Sequence, residues 1–190
     1  MKPEDFGSLL ESELKKSKIF PEKGTPFSRI SEEILEMACA YRSDGFSFLK
    51  SGDPVNAHAS FTYGFGWLDF GIISGLIKGE IPEKRLFCFE EKMPANIQEH
   101  LHEKTGRYNQ MLKEALESVR PAPDTGCTMF PFSKDIISSA QKHLKSGEFY
   151  LSKQFFVNAL AEFSYGYGIL DAAVRCGLLV ITGKRSLFTI

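Results

Sequence analysis

Charged and leucine-bearing positions recur at helical spacing from about Pro3 to Lys18, with Leu9, Leu10 and Leu14 on one side, which predicts an amphipathic surface helix. A similar stretch runs from about Pro94 to Val119. Each gives way to a proline- and glycine-punctuated loop, Phe20 to Pro26 in one case and Pro121 to Gly126 in the other. A second helix follows each loop. Ser31 and Ser133 are read as its N-caps, with acidic Glu32, Glu33 and Asp135 favouring its positive end. In the first half this helix ends at Ser51-Gly52-Asp53-Pro54, where glycine closes one helix, aspartate caps the next and proline takes its first turn. The third helix, about Pro54 to Lys78, is apolar nearly all round: Phe61, Phe65, Leu68, Ile72 and Leu76 line one face, and Tyr63, Trp67, Phe70 and Ile77 the other. Such a helix is expected at the centre of the molecule. Its glycines, 64, 66, 71 and 75, each cost roughly 1 kcal/mol of helix propensity, so the close approach of a neighbouring backbone is expected to offset them.

The halves are copies. Phe61 to Asp69 (FTYGFGWLD) matches Phe163 to Asp171 (FSYGYGILD) at an offset of 102 residues, and between 6–79 and 108–181 there are 21 identities in 74 ungapped positions. Unrelated sequences would share roughly one position in twenty. The second copy keeps Gly166, Gly168 and Gly177 and has small Ala172 and Ala173, so the two third helices are expected to face each other across a pseudo-twofold axis. Lys84-Arg85-Leu86-Phe87 is echoed by Lys184-Arg185-Ser186-Leu187-Phe188, giving each unit a short tail; if both tails are extended, they could pair as a two-stranded ribbon. The chain of 190 residues then divides into a unit at 6–89, a connector at 90–107 and a unit at 108–190. Each unit is near the lower size limit for a core of its own. The fold expected is all-α, with two tandem three-helix units packed as one helical bundle, each with a short extended C-terminal tail.

Composition narrows the function. With 23 Lys+Arg against 24 Asp+Glu there is no basic signature, which weighs against nucleic acid as a partner. The N-terminus lacks an apolar leader and the longest apolar run, Gly177 to Ile181, is too short for a bilayer, so a cytoplasmic protein without a membrane anchor is expected. Cys39, Cys88, Cys127 and Cys176 form no C-x-x-C pair and are read as reduced, mostly buried thiols. His58, His100, His102 and His143 show no ligand spacing, so neither a metal nor a cofactor is expected. No nucleophile-elbow, P-loop or dinucleotide glycine pattern occurs.

Asp69 and Asp171 remain as carboxylates beside the apolar face of a central helix. Buried carboxylates need partners. The favoured reading is structural, with each bonded to a tyrosine hydroxyl, a backbone N–H or a basic group; the functional alternative is an acid that contacts a ligand or handles a proton. Tyr63, Tyr165 and Trp67 likewise read first as core.

The pattern Ala38-Cys-Ala-Tyr41-Arg-Ser-Asp44, Phe48-Leu49, Gly52-Asp53, Ala57, Ala59, Phe61, Tyr63-Gly64 and Gly66-Trp67-Leu68-Asp69 resembles the archaeal domain-of-unknown-function family 357. The second copy is similar to that family at Thr105-Gly-Arg107-Tyr108 and at the terminal Leu187-Phe188-Thr189-Ile190, but has Gln154, Phe155 and Phe156 in place of Gly52, Asp53 and Pro54, and His143 and Ser146 in place of Tyr41 and Asp44. The resemblance implies a small all-helical archaeal domain and transfers no catalytic residue. The leading functional expectation is a non-enzymatic protein-interaction or scaffolding module, with a protein partner or a homodimer; Phe130-Pro131-Phe132 and Phe155-Phe156 are candidate contacts, burial of these aromatics in the fold being the equal alternative. The alternative is a small-ligand or nucleotide/nucleic-acid-linked helical domain with a pocket near Asp69, using Tyr41, Asp44, Tyr63 and Asp69, in the copy whose pattern is intact.

Overall fold

Proline and acidic residues open the first helix of the computed structural model, which describes residues 1–80, 89–91 and 94–189. Helix α1 (Pro3–Lys16) carries Glu4 and Asp5 in its first turn and Lys15 and Lys16 in its last, complementing the helix dipole at both ends. Helices α2 (Pro26–Lys50) and α3 (Pro54–Ile73) complete the first unit. The second consists of α4 (Gln98–Glu117), α5 (Met129–Ser152) and α6 (Phe156–Arg175). Among the described residues no helix is long and apolar enough to cross a membrane.

Helix α2 starts earlier than expected. Thr25 is its N-cap, accepting the Ser28 N–H at 3.1 Å, and Pro26 occupies the first turn. Ser31 lies a turn inside, fully buried, and donates to the carbonyls of Phe27 and Leu76. Ser133 is likewise inside α5 and donates to the Phe130 carbonyl. Asp53 does cap α3, accepting the Asn56 N–H at 2.9 Å.

Helix α3 ends at Ile73 rather than Lys78, because Gly75 turns left-handed (φ +74°) and the Leu76 N–H returns to the Gly71 carbonyl. Gly177 does the same for α6 (φ +77°). These two glycines therefore terminate helices; a Cβ on either would meet nothing, so they are not sites of close packing. The chain beyond each turn forms half of a short antiparallel ribbon. β1 (Lys18–Ile19) pairs with β2 (Ile77–Lys78), and β3 (Val119–Pro121) with β4 (Leu179–Ile181). Each ribbon closes its own unit. Of the two tails, Arg185–Leu187 is a 3-10 turn rather than an extended segment, and Lys84–Phe87 lies outside the described residues.

The units meet through α3 and α6, as the repeat predicted. A Cβ on Gly66 would stand 2.4 Å from the Tyr165 carbonyl oxygen, and one on Gly168 would stand 2.4 Å from that of Tyr63. The backbones are thus in direct contact at a reciprocal crossing, which only glycine permits. Around it α6 is buried on all sides from Val157 to Val174, and α3 nearly so.

The connector ties the second unit back to this core. Unit 2 has no capping side chain at Phe155; instead Glu91 accepts the Val157 and Asn158 N–H groups at 2.9 and 3.0 Å. The Asn158 amide also exchanges hydrogen bonds with the Phe89 backbone, both at 3.0 Å. Gln154 holds φ +62° at the position where unit 1 has Gly52 at φ +81°, so the hairpin geometry survives the loss of its glycine. The thiols depart from expectation: Cys39 and Cys127 are exposed and Cys176 is half-buried, because each lies off the apolar stripe of its helix or in a loop, while Cys88 lies outside the described residues.

Candidate functional site

The α3–α6 crossing places the two aspartates within reach of tyrosines from the opposite unit. The Tyr63 hydroxyl donates to Asp171 Oδ2 at 2.5 Å and the Tyr165 hydroxyl donates to Asp69 Oδ2 at 2.6 Å. The two bonds are related by the internal pseudo-twofold. Each carboxylate therefore accepts a hydrogen bond from across the unit boundary.

The two copies of this motif have diverged. Asp171 is fully buried and also accepts the Thr189 N–H at 2.8 Å, so the C-terminal tail is pinned over it. Tyr41 packs on Tyr63 with ring centroids 4.4 Å apart, Tyr167 meets Tyr63 at 5.5 Å, and Tyr108 meets Tyr167 at 6.5 Å. Burial disfavours the charged form of every member: it raises Asp171 above the usual carboxylate range, raises Tyr41 and Tyr167, and lifts Tyr63 well above its ordinary value. Tyr108 is pushed up to about 12 by the same cause. These hydroxyls are hydrogen-bond donors that stay protonated across the physiological range. On the other side of the axis Asp69 is half-buried, and Tyr165 packs against His143, whose Nδ1–H donates to Glu162 at 2.7 Å.

Of the four residues singled out in the sequence, Tyr41 and Tyr63 thus gather around Asp171, with exposed Asp44 close enough for its charge to act on Tyr41. Asp69 lies with Tyr165 in the other half of the motif. Asp171, Tyr108, Tyr167 and Thr189 were not recognised as companions of Tyr63. The 102-residue offset held the necessary signal, since two self-similar helices facing across a twofold exchange their side-chain partners.

Near the tail, Trp67 floors a small cleft of about 180 Å³ bordered by Glu33, Glu36, Arg175 and Thr189. The Trp67 indole N–H is buried without a hydrogen-bond partner among the described residues, and Arg175 bridges the units to Glu33 at 2.9 Å. Among the described residues no group of three or more His, Cys, Asp or Glu side chains is arranged to hold a metal ion.

A larger apolar groove, about 330 Å³, opens where α2 and α5 begin. Phe27, Ile30 and Leu76 line it from unit 1, and their repeat equivalents Met129, Phe132 and Leu178 from unit 2, so the groove sits on the pseudo-twofold axis. Phe27 is 63% exposed and Met129 46% exposed. Neither residue was identified from the sequence, because at a helix start an apolar side chain is equally compatible with burial. Of the aromatic contacts that were expected, Phe132 lines this groove, Phe130 lines a neighbouring cleft, and Phe155 is 45% exposed elsewhere on unit 2.

No curated protein and no solved structure matches the chain. The family model described as "Protein of unknown function (DUF357)" matches twice, over residues 6–77 and 107–179. Those spans take in both reciprocal tyrosine–aspartate pairs and both glycines of the crossing, and the chain belongs to the DUF357 family as a tandem duplication.

Proposed function

We propose that this protein is a non-enzymatic interaction module that docks a partner protein in the groove on its pseudo-twofold axis. The carrying observation is the exposure of Phe27 and Met129 over an apolar channel built from equivalent residues of both units. Large apolar side chains are ordinarily covered, and a clustered set left open marks a contact surface. In this reading the tyrosine–aspartate pairs, bonded from one unit to the other, supply the rigid frame. The test is capture of partners from the source organism's extract by tagged protein, compared with Phe27→Asp and Met129→Asp. Wild type is expected to recover a partner, or to self-associate, and both variants to lose it. A strictly monomeric wild-type protein that recovers nothing overturns the reading.

The small-ligand alternative draws support from the unpartnered Trp67 N–H beside the 180 Å³ cleft. It predicts a rise in Tm with some member of a metabolite and nucleotide panel, diminished by Trp67→Phe; no shift across the panel removes it.

A further inference from the structure

The groove does not end at its apolar centre. Ile30 is shared with an adjoining cleft that contains Lys23 and Arg29, and Pro123 with another, of about 620 Å³, that contains Arg120 and Lys134. The two end clefts thus adjoin the groove at these shared residues, giving a track that is apolar in the middle and has basic side chains on either side. Among the described residues none of these four cations is in an ion pair, and Lys134 lies over the Phe130 ring at 5.8 Å. The acids within the end clefts are Glu32 at one end and Asp124 at the other, and Asp124 already accepts from Thr125 and Gly126. Helices α2 and α5 both start on the track, and neither has an acidic residue in its first turn. Two positive helix ends therefore add to the four cations.

We infer that the partner segment docked here is a peptide with an apolar centre and carboxylates at both ends. This rests on the groove being a docking site, and adds the charge pattern of its occupant. An apolar segment without acids would leave the end cations without counter-charges, and a basic one would be repelled at both ends.

The test uses fluorescence anisotropy with the full chain and two labelled synthetic peptides, each with a leucine–phenylalanine centre, one with aspartates at both ends and one with lysines. The aspartate peptide is expected to bind at least about tenfold more tightly, an advantage that falls as salt rises. The double variant Arg29→Glu/Lys134→Glu, at exposed positions that leave the core untouched, is expected to reverse the preference. Equal binding of the two peptides, abolished for both by Phe27→Asp, overturns the acidic occupant while the groove stands. Binding of neither peptide, or binding unaffected by Phe27→Asp, overturns both.

Discussion

Tyr63 and Tyr165 hold equivalent places in the repeat but meet unequal surroundings. Asp171, fully buried, depends on Tyr63 and the Thr189 N–H, whereas half-buried Asp69 keeps access to water. Removing a donor costs most where solvent cannot replace it. Tyr63→Phe is therefore expected to lower unfolding free energy by about 2 kcal/mol and Tyr165→Phe by about 1 kcal/mol or less, read from urea melts. His58 offers a second test. It is fully buried, its Nε2 bonds the Val157 carbonyl at 3.0 Å, its Nδ1 has no partner among the described residues, and burial lowers its pKa to about 4. The unfolded chain takes up this proton near pH 6.5. Stability from neutral His58 is thus complete above that pH and is lost as pH falls toward 4, by about 3 kcal/mol. Leu160 is its counterpart in unit 2, so His58→Leu is expected to retain the fold and to lose about 3 kcal/mol less than wild type between pH 7 and 4. Parallel curves would exclude His58 as the source. Asp171 shifts in the opposite sense, its raised pKa favouring the fold at lower pH, and is common to both proteins, so it cancels in the difference.

At the level of elements, glycine plays two roles that sequence alone lumps together. Gly66 and Gly168 let two helices touch, while Gly75 and Gly177 turn the chain out of a helix. Gly66→Ala is expected to destabilise by at least about 2 kcal/mol, since the new methyl meets a backbone oxygen that has nowhere to move. Gly106→Ala, in α4 with open space around it, is expected to stabilise by up to about 1 kcal/mol through helix propensity. Thermal melts of the pair separate contact from propensity. The caps show where local signals suffice. Asp53-Pro54 is legible in the sequence and Thr25-Pro26 obeys the same rule, whereas Ser31, equally cap-like in sequence, gives its hydroxyl to the Phe27 and Leu76 carbonyls. The cap of α6 was not legible, because Glu91 arrives from 66 residues upstream and only the docked connector brings it there.

For the whole molecule, the reciprocal crossing implies that neither unit buries its third helix alone. Residues 1–91 and 94–190, produced together, are expected to associate one-to-one and to regain the helical circular dichroism of the intact chain. Either fragment alone is expected to lack a cooperative unfolding transition as a monomer, and a stable monomeric fragment would contradict this. The six helices, the duplication, the buried character of α3 and α6 and the family are all legible in the order of residues, because periodicity, punctuation and self-similarity are local or linear properties. That order also supplies the residue types at the crossing. Packing in three dimensions settles the rest: that Tyr63 serves Asp171 rather than the aspartate on its own helix, that the ribbons close each unit separately, and that residues from both helix starts converge into one groove. Those outcomes depend on which face of one unit meets which face of the other. That choice is made by close packing across the pseudo-twofold axis, where a glycine pair brings the backbones together and fixes every side-chain partnership around it.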